Sequence, residues 1–108
     1  MVQITAAELN EWLQDETRPD PLLIDVREPD EFAAYRIEGA KLLPMRTIPA
    51  RLHELDRRAE LVMICRSGAR SYHAGAFLKQ NGFERVYNLA GGVIAWAQQG
   101  MPLTPGGA

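Results

Sequence analysis

Short apolar runs alternate with segments of helical spacing along this chain, and that alternation predicts an α/β fold with a mainly parallel sheet covered by helices on both faces. The run Leu61–Ile64 is apolar at every position, as a central parallel strand buried on both faces requires. At 108 residues the chain is long enough for one core and too short for two. The expected domain covers 1–101, with 102–108 as a C-terminal tail.

The elements follow in order. Thr5-Ala6-Ala7-Glu8 matches a capping box, and Leu9, Trp12 and Leu13 continue at helical spacing, so a helix is expected over 6–15. Pro19-Asp20-Pro21 breaks the chain. Leu22-Leu23-Ile24 gives a short buried strand ending at Asp25-Val26-Arg27. Pro29 suits the first turn of a helix carrying Glu31, Phe32 and Tyr35, and Gly39 ends that unit. Lys41-Leu42-Leu43 reads as a strand stopped by Pro44. A helix over 47–56 turns Ile48, Leu52 and Leu55 inward. After the strand 61–64 comes a polar loop, then a helix with Ala74, Phe77 and Leu78 as its inner stripe and Asn81-Gly82 as its stop. A strand over 85–89 and a last helix with Ile94, Ala95 and Trp96 complete the pattern. Pro102-Leu103-Thr104-Pro105-Gly106-Gly107-Ala108 reads as a frayed end.

Composition narrows the function. The formal net charge is -2, which gives no footing for nucleic acid or an anionic membrane surface. No apolar run reaches the length of a membrane span, and Met1-Val2-Gln3-Ile4-Thr5 lacks the pattern of a signal peptide. The single cysteine excludes an internal disulfide, so a reduced thiol and a cytoplasmic location are expected. That cysteine with two distant histidines, His53 and His73, does not make a structural zinc site.

The chemistry gathers at the one thiol, in Cys65-Arg66-Ser67-Gly68-Ala69-Arg70, at the carboxyl end of the central strand, where α/β sheets bind ligands. An unperturbed thiol with pKa near 8.5 is only about 3% thiolate at pH 7, and the thiolate is the nucleophile. Lowering the pKa by about two units requires roughly 2.7 kcal/mol of differential stabilisation. A helix N-terminus supplies up to ~2 kcal/mol in a partly buried site; Arg66, Arg70 and inward N–H groups are expected to supply the rest. Gly68 permits the backbone angles by which amides converge, Ser67 adds a hydroxyl, and Ala69 leaves the mouth unfilled. The same cradle suits a small anion. With no general base in the loop, thiolate attack on an electrophilic sulfur fits best, giving a persulfide on Cys65 that a second nucleophile unloads. Other residues read more plainly. Asp25 and Arg27 form a supporting ion pair or loop anchor, His73 and His53 lie on the surface, and Phe32, Phe77 and Trp96 belong to the core. No metal or organic cofactor is implied.

Three blocks in this order carry a family resemblance. They are Asp25-Val26-Arg27 with Glu31-Phe32 and Ile37-Glu38-Gly39-Ala40 through Leu43-Pro44; Cys65 to Ser71; and Leu89-Ala90-Gly91-Gly92-Val93-Ile94-Ala95-Trp96. Over nearly its full length the chain resembles a single-domain rhodanese. That resemblance implies a thiosulfate-type sulfurtransferase with Cys65 as the persulfide-bearing residue and the loop from Cys65 to Arg70 as the anion cradle. The implied partners are a small anionic sulfur donor and a thiol or cyanide acceptor, with a thioredoxin-like or other sulfur-relay protein as a further candidate. In this family a six-residue loop, as here, goes with sulfur transfer, and a seven-residue loop with phosphatase or arsenate-reductase chemistry. A relay module loaded by a partner protein is the rival reading from another class. Arg36 stands where the family usually carries histidine, a departure away from the nucleophile.

Overall fold

A computed structural model describes residues 1–105 of the chain. The strands β1 (Val2–Ile4), β2 (Leu22–Asp25), β4 (Lys41–Leu42), β5 (Leu61–Ile64) and β6 (Val86–Leu89) form one sheet in the order β1-β6-β5-β2-β4. Every pairing in it is parallel. The expected fold class is the observed one.

Side-chain alternation along β5 assigns the two faces. Leu61, Met63 and Cys65 join Ile24, Val26, Ile48, Leu55, Ala74, Leu78 and Val86 in one core, under α3 (Ile48–Arg51) and α4 (Ala69–Gln80). Val62 and Ile64 join Leu9, Trp12, Leu23, Leu89, Val93 and Trp96 in the other, under α1 (Ala6–Gln14) and α5 (Gly92–Gln98). Cys65 therefore continues the row that faces α4. The capping box at Thr5 and Glu8 forms as expected, with reciprocal bonds of 2.9 and 3.1 Å.

Several elements differ from expectation. The strand β1 was not anticipated: Val2 and Gln3 are exposed and only Ile4 is buried, so no alternation marks it. The second helix, α2 (Pro29–Ala34), stops before Tyr35. Tyr35–Arg36 instead forms β3, because the Tyr35 carbonyl accepts a 2.7 Å bond from Arg27 Nη2 and the strand pairs antiparallel with β7, Thr104–Pro105. The tail read as frayed is thus held over 102–105, where Trp96 Nε1 also donates to the Pro102 carbonyl at 2.9 Å; the expectation for 106–108 lies outside the described residues. The helix expected over 47–56 is broken into a 3-10 turn at Met45–Thr47, the single turn α3, and a second 3-10 turn at Leu52–Glu54. In α5 the buried positions are Gly92, Val93 and Trp96; Trp96 is in the core as expected, while Ile94 and Ala95 are half-buried. Phe32 and Phe77 are half-buried rather than central. Among the described residues no helix is long and apolar enough to cross a membrane.

Candidate active site

The chain leaves β5 at Ile64 and enters α4 at Ala69, so the residues between must turn sharply at the sheet's carboxyl edge. Gly68 makes the turn at φ +99°, in the left-handed region. Its N–H points back and donates to Cys65 Sγ at 3.1 Å. The loop is clamped from behind by α5, whose Val93 and Ile94 N–H groups donate to the Cys65 and Arg66 carbonyls at 3.0 and 3.1 Å. Gly92 is required at that junction, since a Cβ there would run into those same two carbonyl oxygens.

The sulfur sits at the floor of this turn. Cys65 is 1% exposed. Arg66, Ser67 and Ala69 are exposed above it, Gly68 is buried and Arg70 is half-buried. Burial pushes the thiol pKa up, but the Ser71 hydroxyl and the N–H groups of Ser71, Gly68 and Ser67 together outweigh burial and bring it below its ordinary value. Ser71 Oγ lies 3.2 Å from Sγ.

The arginines do not play the part expected of them in lowering that pKa. The Arg70 guanidinium is engaged by Glu31 of α2 through bonds of 2.8 and 2.9 Å. Those bonds hold the Glu31 carboxyl at about 2 and raise Arg70, with attraction to the Cys65 sulfur a smaller contribution to Arg70. Arg66 forms no side-chain hydrogen bond among the described residues. Hydrogen-bond donors, rather than cations, surround the sulfur.

Asp25 and Arg27 are both buried, at 0% and 1% exposure. Arg27 Nη2 meets Asp25 Oδ2 at 2.8 Å, and the Arg27 N–H donates to Asp25 Oδ1 at 3.0 Å. The pair therefore ties the end of β2 to Tyr35, as an anchor for the segment that carries Glu31. His73 and His53 are exposed. The ring of His73 packs edge-on against Tyr72, its centroid 6.0 Å away.

Sequence reasoning assigned no role to Glu31, Ser71 or Asn88. Each lay inside or near a motif, but the bond that gives it meaning joins distant segments: Glu31 to Arg70, and Asn88 of β6 to Ser71 of α4.

The Rhodanese-like domain family matches residues 5–99.

The chain belongs to the rhodanese-like domain family.

A relative from Allochromatium vinosum named sulfurtransferase is 46% identical over 101 residues, spanning 94% of this chain and 92% of that one. A rhodanese-related protein from Thermoplasma volcanium superposes with a TM-score of 0.86 at 29% identity, covering 96% of this chain and 98% of the other. A rhodanese-like domain protein from Staphylococcus aureus gives a TM-score of 0.82 at 36% identity, with 89% and 91% covered. In this chain the Cys65–Arg70 turn is closed by Gly91-Gly92 at the start of α5.

Proposed function

We propose that this rhodanese is a sulfurtransferase that takes sulfane sulfur from thiosulfate or a related donor onto Cys65 and passes it to a thiol or to cyanide. The observation that supports this reading is a thiol at the base of a six-residue loop, with N–H and hydroxyl donors converging on it and its pKa brought down.

The steps balance without an external oxidant. The Cys65 thiolate attacks the sulfane sulfur of thiosulfate, a new S–S bond forms, and the old S–S bond breaks with its electron pair leaving on sulfite. Cys65 now bears a persulfide whose outer sulfur is anionic, and on this reading the loop N–H groups stabilise that charge. Cyanide or a thiolate then attacks the outer sulfur, and the pair of the persulfide bond returns to Cys65. Thiocyanate or a new persulfide departs.

A second reading is favoured by two observations. Cys65 is 1% exposed and Arg70 is already paired with Glu31, so a free anion finds little open surface at the thiol and no unpaired guanidinium at Arg70, which favours a relay module loaded by a partner protein. Thiocyanate production from thiosulfate and cyanide separates the two. The sulfurtransferase reading expects turnover in the wild type, none in Cys65→Ser, and no hydrolysis of p-nitrophenyl phosphate by either. Absent turnover, with persulfide appearing only beside a desulfurase partner, would transfer the reading to the relay module.

A further inference from the structure

Ser71 and Asn88 are both buried beneath the cysteine loop, at 0% and 1% exposure. Ser71 Oγ lies 3.2 Å from Cys65 Sγ and 2.5 Å from Asn88 Oδ1. The Asn88 amide can face only one way. Its Nδ2 is 3.1 Å from the Gly68 carbonyl, which accepts only, and 3.0 Å from Gln3 Oε1. Its oxygen therefore faces Ser71. The serine hydroxyl has one proton, and two acceptors compete for it.

We infer that Ser71 and Asn88 form a hydroxyl switch that follows the charge on Cys65. While Cys65 is a thiol, its S–H donates to Ser71 Oγ and the Ser71 O–H donates to Asn88 Oδ1. When the thiol loses its proton to solvent, the Ser71 O–H turns to the sulfur anion and Asn88 Oδ1 gives up its donor. As a new S–S bond draws charge off Sγ to the outer sulfur, the hydroxyl returns to Asn88. Asn88 is then a positioning residue that acts through Ser71: it holds back the proton that stabilises the bare thiolate and recovers it when Cys65 is loaded. This deepens the proposed sulfur transfer and depends on it for its catalytic meaning.

The charged groups set around this cluster are Arg66 and Arg70 from the loop and α4, Glu31 of α2 through Arg70, and the Asp25–Arg27 pair at the end of β2. All are ion-paired or exposed, and none is hydrogen-bonded to Ser71 or Asn88 among the described residues. The switch is therefore separable from them by substitution.

Two measurements test it, neither needing a sulfur donor, so they can fail while turnover persists and succeed while turnover is absent. The first is the pH profile of iodoacetamide alkylation of Cys65. Ser71→Ala should raise the inflection. Asn88→Ala should lower it by about half to one pH unit, because the thiol state alone loses a hydrogen bond. In the Ser71→Ala background, Asn88→Ala should leave the inflection where it was. A merely structural Asn88 gives the opposite sign, since losing its bond to the Gly68 carbonyl loosens the Gly68 N–H from the sulfur. An inflection raised by Asn88→Ala, or additive shifts, would overturn the switch. The second uses the wild type and so survives a variant that fails to fold. Below the alkylation inflection, the infrared S–H stretch of this lone cysteine should lie at the frequency of a hydrogen-bonded donor. A wild-type band at the free-thiol position would also overturn it.

Discussion

At the scale of single residues, the site works by directed donors around a buried sulfur, and its one fixed cation is partly cancelled. Glu31 Oε1 accepts from both the Glu28 N–H at 3.0 Å and Arg70 Nη1 at 2.8 Å, so the carboxylate is pinned on both sides. An anionic donor entering the loop must share Arg70 with it. Glu31→Gln should therefore lower the KM for thiosulfate several-fold and leave kcat within about twofold, as expected where ground-state and transition-state binding change alike; an unchanged or raised KM would remove Glu31 from donor binding. The same pair contributes to stability. Its folded-state carboxyl lies at about 2, below the ordinary 4.5, so the contribution is present above 4.5 and is lost as pH falls toward 2. Because Arg70 and Glu31 are 40% and 26% exposed, we set it at no more than about 1 kcal/mol. Urea midpoints of wild type and Glu31→Gln should differ at pH 7 and converge near pH 2.5. A gap that persists there would count against the ion pair as its source.

The position of Cys65 and the turn made by Gly68 were legible at this scale, because a lone cysteine between an apolar run and a Gly-containing turn is a local signal; the expected part of Arg66 and Arg70 in lowering its pKa was not observed. Glu31, Ser71 and Asn88 were not, because their partners lie 39 and 17 residues away and no local spacing encodes such pairs.

Elements place these residues. The alternation along β5 turns Cys65 toward α4, and the same alternation along β6 turns Val86 and Asn88 to that face. The junction of α5 with the loop is the tightest joint. Gly92 has φ +59°, and a Cβ would strike the Cys65 and Arg66 carbonyls. Gly92→Ala should cost about 2–4 kcal/mol from left-handed strain and overpacking together. The loop must also move, so the alkylation inflection of Cys65 should rise. Denaturant unfolding and the alkylation profile of one variant check both, and wild-type values in both would show that the loop does not depend on α5.

The parallel strands β2 and β5 were readable as apolar runs, and β6 as a strand over 85–89 despite its polar Asn88. Three elements were not, for different reasons. The strand β1 buries only Ile4 and borrows its order from β6. Tyr35–Arg36 is pulled out of helix by Arg27 and the tail, a tertiary override of local propensity. The 47–56 segment keeps its inward Ile48 and Leu55, but tight 3-10 turns stand at both ends of α3.

For the molecule as a whole, a five-stranded parallel sheet is accompanied by a separate two-stranded one, in which the C-terminal segment returns onto β3. Leu103 packs beside the Trp96 core, and the Trp96 indole N–H is satisfied by the Pro102 carbonyl. A chain ending at Met101 should lose about 1–3 kcal/mol, mainly by leaving that indole donor without its partner. An unchanged urea midpoint would mean that the return adds nothing.

All of this geometry converges on one chemical event, the capture of a single sulfur atom by Cys65. Intact mass spectrometry after exposure to thiosulfate tests it directly. The wild type should gain the mass of one sulfur, lose it again on adding cyanide, and Cys65→Ser should gain nothing. A wild-type mass that stays unmodified, or a sulfur adduct that forms equally on Cys65→Ser, would contradict the account.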